Sequence, residues 1–322
     1  MQVPFLSTIG VRERNAMEFS IEAPAKVNLC LAVEYPPADG YHQLESVFQQ
    51  LTLHDTLHFE VVGIDDAIDD ANCACTAAQT PVVLKCGVAG LATSDNLIFK
   101  AIDAMERAFC KPVVEQCDAL RIVVDKQIPA GGGLGGGSSD AAAAIRAYLR
   151  LCGIDEADER AHAVARSLGA DVAFFLYGGA ALMDGRGDTL VSKLPEFALP
   201  LVLMGEGQGI STAQIYRDFD ARPPKAPDAR ALAQAMEEFP ALPTYEQKAQ
   251  LAQLCSNNLQ PAAFEALPRL KARVERANAS SEVLQALVTG SGATSYAICP
   301  DLGAAMRFEQ EIAPWCDWTA IC

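Results

Sequence analysis

Residues 120–151 read LRIVVDKQIPAGGGLGGGSSDAAAAIRAYLRL, and the organisation of the chain is worked out from this stretch. Leu120 to Ile128 is rich in β-branched residues and predicts a strand. Six glycines follow among the seven residues 131–137, and then Ser138-Ser139-Asp140 opens an alanine-rich helix. A run of glycines has no side chains to hold an anion at a distance, so successive N–H groups converge on phosphate oxygens. The positive end of the helix dipole points at the same place. The hydroxyls of Ser138 and Ser139 suit a phosphate or a magnesium-bound water. A side chain at Gly135 is expected to fill the space the phosphates need. A flexible linker fits poorly between a clean strand and a capped helix. No Gly-Lys-Ser/Thr follows the loop, and it lacks the dinucleotide spacing with a later acidic residue, so it is a phosphate loop of a third kind.

On the N-terminal side, FSIEAPAKVNLCLAVE after Met17 reads as a strand at least half buried, and residues 35–40 read as a Pro/Asp-Gly turn. LESVFQQLTLHDTLHFEVVG reads as an irregular or short helical piece leading into a strand. Residues 63–92 look like an extended hairpin or surface excursion with no chemistry. A polar residue caps a helix after Ser94-Asp95. On the C-terminal side, DERAHAVARSL predicts a helix closed at Gly169 by a left-handed cap, and Val172 to Tyr177 an apolar strand. Gly185, Gly187, Pro195 and Pro200 mark a boundary. Beyond it come a strand (LPLVLMG), a loop, the helix AQIYRDFD, further helices and LVTGSGATSYAIC with a glycine turn between strands. The non-alternating order predicts α+β architecture in two domains: an extension at 1–16, an N-terminal domain at 17–190 and a C-terminal domain at 191–322. Met17 fits a natural start.

With 41 acidic and 25 basic side chains the net charge is −16, which argues against nucleic acid as a partner. No apolar run is long enough to span a membrane, and no secretory signal opens the chain. The eleven cysteines form no C-x-x-C pair, and Cys73 and Cys75 have no second pair or histidine beside them, so a reducing cytoplasm is expected and no metal ligands are assigned. An acidic protein that handles phosphate must still place cations locally, which singles out Lys26 and Lys126.

The loop from Pro129 to Ser139 resembles the ATP-binding motif of the GHMP kinases, in a doubled triple-glycine form similar to the branch that phosphorylates a cytidine-diphosphate-linked polyol. Four further segments agree in order: Ala23-Pro24-Ala25-Lys26-Val27-Asn28-Leu29, Asp39-Gly40-Tyr41-His42, Leu168-Gly169-Ala170-Asp171-Val172 and Thr289-Gly290-Ser291-Gly292-Ala293. The resemblance spans about residues 20–300. It implies a two-domain α+β GHMP kinase fold, with a ribosomal-protein-S5-domain-2-like N-terminal domain and a ferredoxin-like C-terminal domain. It also implies ATP and Mg2+, a small-molecule alcohol as acceptor in isoprenoid precursor synthesis, and a monomer or homodimer.

Residue by residue, the resemblance assigns catalysis to Lys26 and Asp171. It assigns ATP binding to Pro129, Ala130, Gly131, Gly132, Gly133, Leu134, Gly135, Gly136, Gly137, Ser138 and Ser139, with Asn96 and Lys126 near the adenine. Acceptor binding falls to Asn28, Tyr41, His42 and Thr212, where Tyr41 and His42 would stack on and hydrogen-bond a pyrimidine. Local sequence offers plainer readings: a capping role for Asp171, a solvated outward lysine at Lys26, a surface tyrosine at Tyr41. Two rivals stand beside the leading reading. One is a GHMP kinase of homoserine, mevalonate or a sugar; the other is a nucleotide-binding regulator without turnover.

Overall fold

Sixteen residues, Glu18–Val33, form β1, and a second long strand, β2 (Leu44–Gly63), runs antiparallel to it from Glu18↔Glu60 to Val33↔Leu44. The register slips between Pro24 and Lys26 and again between Asn28 and Cys30. These bulges bracket Lys26 and Asn28, and a bulge re-aims the side chains next to it. The computed structural model describes residues 17–35, 41–63, 73–75, 80–88, 93–114, 118–207, 209–239 and 244–322. The expected extension at 1–16, Asp39-Gly40 and much of the 63–92 excursion lie outside them.

Residues 44–63 are one strand, not the irregular or helical piece expected. The reason is tertiary: besides β1, β2 pairs with β5 (Asp118–Asp125) over 56–63 and with β6 (Ala180–Asp184) over 46–49. Strands on both sides override weak local preference. The order in the larger sheet is β3 (Cys73–Cys75), β4 (Val82–Cys86), β5, β2, β1, β9 (Ser256–Asn257), with β6 joined to β2 and β7 (Thr189–Leu194) to β6. β3 and β4 are antiparallel, as the hairpin reading expected.

Helices α1 (Leu97–Phe109), α2 (Gly136–Cys152), α3 (Glu159–Leu168) and α4 (Ala170–Tyr177) cover this sheet. Ala141 to Ala144 are fully buried, so α2 lies close against its neighbours. The expected strand after Asp171 is α4. Its Val172, Ala173, Phe174 and Phe175 are all buried, and an apolar run without a polar face gives no period by which to tell helix from strand. Gly169 is extended, with φ 161° and ψ 155°, and joins α3 to α4 instead of forming the left-handed cap expected.

A second sheet has the order β10 (Gln285–Val288), β11 (Ser295–Ile298), β8 (Leu201–Gly205), β12 (Trp318–Ile321), antiparallel throughout. Helices α5 (Thr212–Ala221), α6 (Ala229–Glu238), α7 (Tyr245–Leu254), α8 (Gln260–Ala266), α9 (Pro268–Asn278) and α10 (Leu302–Ile312) accompany it. Met204, Ile215, Phe219, Leu270 and Phe308 fill one core there. β9 returns to pair in parallel with β1 at Cys30 and Leu31, so the C-terminal part of the chain also edges the first sheet. Among the described residues no helix is long and apolar enough to cross a membrane.

Candidate active site

Gly131, Gly133 and Gly135 have φ of 76°, 77° and 75°, alternating with ordinary backbone, which is the zigzag that turns successive N–H groups inward. Gly135 is the N-cap of α2, and Ser139 N–H already donates to its carbonyl at 2.9 Å. The earlier first-turn N–H groups, at Gly136, Gly137 and Ser138, remain as donors at the positive end of α2. Asn96, Lys126, Asp140 and the loop from Pro129 to Gly137, with Ile128, line one cleft.

The loop is held from both sides. Lys26 N–H donates to the Leu134 carbonyl at 3.0 Å, and Thr294 N–H donates to that of Gly132 at 3.3 Å. A Cβ at Gly133 would stand 3.1 Å from the Gly292 carbonyl oxygen. One at Gly135 would meet Phe175 at 2.9 Å and Lys26 Cγ at 3.2 Å. This corrects the expectation for Gly135: a side chain there strikes the core and strains a left-handed backbone before it reaches any phosphate. Gly131 and Gly137 both have nothing within 4 Å of the Cβ direction, and of the two only Gly137 lacks a left-handed backbone.

Beneath the loop, Lys126 Nζ sits 2.5 Å from Asp55 Oδ2 and 2.8 Å from Asp140 Oδ2, and all three side chains are buried. Asp55 Oδ1 also accepts from the N–H groups of Gln127 and Ile128. Burial pushes the Asp140 carboxyl up to about 6, outweighing the pull of Lys126. Burial alone would lower the Lys126 ammonium, but the two carboxylates together raise it. Among the described residues, Asp140 Oδ1 and Ser139 Oγ are buried without a hydrogen-bond partner.

Lys26 is 4% exposed, not the solvated lysine that its strand alone suggests. Its Nζ lies 2.8 Å from Asn28 Oδ1, 3.7 Å from Asp171 Oδ2 and 5.2 Å from the centre of the Phe48 ring. Asp171 is in the first turn of α4, where the helix dipole favours a negative charge. Asn28 is fixed on every side: Nδ2 donates to Ser46 Oγ, its N–H to Thr289 Oγ1, and Tyr296 Oη donates to its carbonyl. Lys26, Asn28, Asp171, Arg186, Thr212, Tyr216, Gly290 and Ser291 line a second cleft. Gly133 borders both, so the two clefts meet at the loop.

Thr212 reaches this cleft beside Ser291, their hydroxyl oxygens 2.9 Å apart. Tyr41 and His42 are not among its lining residues, but each packs on one that is. The Arg186 guanidinium lies 3.6 Å over the exposed Tyr41 ring. His42 stands 5.0 Å from the Tyr216 ring and 5.7 Å from that of Phe219, with Nε2 2.7 Å from Asp220 Oδ1. Sequence reading missed Tyr216, Asp220, Ser291 and Arg186 as site residues. Tyr216 follows Thr212 by one helical turn, a spacing that would have found it.

A glycine loop at the start of α2 thus borders a cleft that also holds a buried lysine and a carboxylate. The GHMP kinases N-terminal domain pattern matches residues 96–179 and the GHMP kinases C-terminal pattern residues 225–314. A 4-diphosphocytidyl-2-C-methyl-D-erythritol kinase of Nocardia farcinica is 35% identical over 91% of this chain and 89% of its own. One from Rhodococcus jostii is 34% identical over 91% and 88%. The crystal structure of a 4-(cytidine 5'-diphospho)-2C-methyl-D-erythritol kinase superposes with a TM-score of 0.66 at 29% identity, covering 94% of this chain and 98% of that one. The chain therefore belongs to the GHMP kinases, and within them to the family of 4-diphosphocytidyl-2-C-methyl-D-erythritol kinases. A homoserine kinase from Cytophaga hutchinsonii reaches the same TM-score at 17% identity, covering 100% of this chain and 96% of that one, so shape alone does not separate acceptors.

Proposed function

We propose that the chain transfers the γ-phosphoryl group of ATP to the 2-hydroxyl of 4-diphosphocytidyl-2-C-methyl-D-erythritol. The observation that carries this reading is the Lys26–Asn28–Asp171 cluster standing where the phosphate-loop cleft and the second cleft meet. The hydroxyl at a carbon that also bears a methyl group is tertiary and crowded, so positioning matters more than nucleophilicity. Asp171 accepts the proton of that hydroxyl as its oxygen attacks phosphorus. Lys26, held by Asn28, places its charge against the transferring oxygens. The N–H groups of the loop hold the remaining phosphates.

Ser139 Oγ and Asp140 Oδ1 are hard oxygen donors left unpaired beside the loop, which fits Mg2+ travelling with the nucleotide. Bound there, the ion would neutralise charge on phosphate oxygens. The chain's own part is to keep those oxygens aimed, which Lys126 and Asp55 do from below. The loop's role is tested at Gly137→Val. Its side chain enters open space next to the donors, so ATP affinity measured by calorimetry falls at least about tenfold while the circular dichroism spectrum is kept. Unchanged affinity would remove the loop from the site.

For the base, the Asp220 carboxylate accepts from His42 Nε2, and in the tautomer that this bond selects Nδ1 is an acceptor. That is the partner the 4-amino group of cytosine requires, with Tyr41 and Tyr216 as aromatic neighbours. The cytidine compound is accordingly used better than its uridine analogue by about ten- to a hundredfold in kcat/KM, the cost of an unpaired polar group. His42→Ala narrows that ratio and leaves ATP affinity unchanged. Homoserine, mevalonate and galactose give background ADP release only. Vigorous turnover of one of these, with none on the cytidine compound, would overturn the reading.

A further inference from the structure

A cytidine-diphosphate-linked acceptor places two negative phosphates between its base and its reacting hydroxyl, and a chain of net charge −16 repels them unless a local cation intervenes. The second cleft is lined by two cations, Lys26 and Arg186. Lys26 is buried and already shared between Asn28 and Asp171. Arg186 is exposed, and among the described residues no carboxylate lies within ion-pair distance of its guanidinium; only its backbone N–H meets one, Asp188 Oδ1 at 3.2 Å.

Its place is set by a rigid turn. Gly185 and Gly187, on either side of it between β6 and β7, have φ of 71° and 86°. The Gly185 carbonyl accepts from Leu44 N–H at 2.8 Å, which ties the turn to the start of β2, two residues after His42. A Cβ at Gly187 would stand 3.3 Å from Leu44 Cδ1 and 3.6 Å from Ala170 Cβ, so the same turn packs against the residue before Asp171. Arg186 thus touches both ends of the acceptor's path: its guanidinium covers Tyr41, and it shares a cleft with Lys26 and Asp171.

We propose that Arg186 grips the diphosphate of the acceptor, its planar fork spanning phosphate oxygens while its face rests on Tyr41. The proposal rests on the reading of the acceptor given above. A guanidinium suits this double duty because it stacks on an aromatic ring and donates in its own plane at once.

The test is calorimetric titration of the full chain with cytidine 5'-diphosphate and with cytidine, followed by steady-state kinetics on the cytidine-diphosphate-linked acceptor. The wild-type chain binds the diphosphate more tightly than the nucleoside. Arg186→Ala weakens the diphosphate by about ten- to a hundredfold and the nucleoside by less than about threefold, and Arg186→Lys recovers part of the loss. The KM for the acceptor rises with the dissociation constant, whereas kcat and the KM for ATP move by less than about threefold. Equal losses for both ligands, or an unchanged preference for the diphosphate, would overturn the proposal and leave the acceptor reading standing. A wild-type chain that binds neither ligand would overturn both.

Discussion

Asp171→Asn lowers kcat by about two to four powers of ten, the usual worth of a positioned base, with the affinities for ATP and for the acceptor nearly unchanged. The amide keeps the shape of the carboxylate at the start of α4 but cannot take the proton of the attacking hydroxyl. Lys26 stands 3.7 Å from Asp171 and is held separately by Asn28 at 2.8 Å, so the substitution removes one group without releasing the other. Single-turnover kinetics separates chemistry from binding. A loss confined to KM would make Asp171 a binding residue, and undiminished turnover would end its role altogether.

Lys126→Met is expected to be the most damaging substitution for stability. It leaves the carboxylates of Asp55 and Asp140 buried together without the cation between them, a loss of about 3–5 kcal/mol by denaturant unfolding. The effect depends on pH. Asp140 has its folded value raised, to about 6, above the ordinary 3.8, so the stability linked to its protonation is fully present below the ordinary value and is lost as pH rises through 6. Without Lys126 the carboxyl is driven up further, and the variant gains most on acidification from neutral pH towards 5. A midpoint close to that of the wild type, with no greater dependence on pH, would show that the triad is not what supports the loop.

The phosphate loop was legible because its meaning lies within a dozen consecutive residues: strand, glycines, hydroxyls, helix. The charge balance singled out Lys26, but a role beside Asp171 came only from the resemblance, since local sequence gives an outward-facing strand lysine. What buries it is the cover over both faces of β1, where Ala25 to Val33 are all buried, and that cover comes from segments elsewhere in the chain. β2 was misread at its start because its extended form is set by β1 and β6, which lie elsewhere in the chain. α4 was misread because its buried faces leave no polar stripe. Asp220 follows Tyr216 by one more turn of the same helix, whereas Ser291 and Arg186 join the site through contacts between distant segments that no spacing near Tyr41 or Thr212 points to.

Asn28, on the strand that carries Lys26, gives its N–H to Thr289 and receives a bond at its carbonyl from Tyr296, partners 261 and 268 positions later. Asn257, from the returning strand β9, donates to the carbonyls of Val288 and Gly290 at the same turn. During synthesis the glycine loop and its helix leave the ribosome long before these partners exist. Until then the loop also lacks Thr294, whose N–H donates to the Gly132 carbonyl, and Lys26 lacks its fixed neighbour Asn28. Late, long-range closure of this kind slows folding, since distant segments must meet before their contacts reward them. It also ties the assembly of both the glycine loop and the lysine beside it to completion of nearly the whole polypeptide.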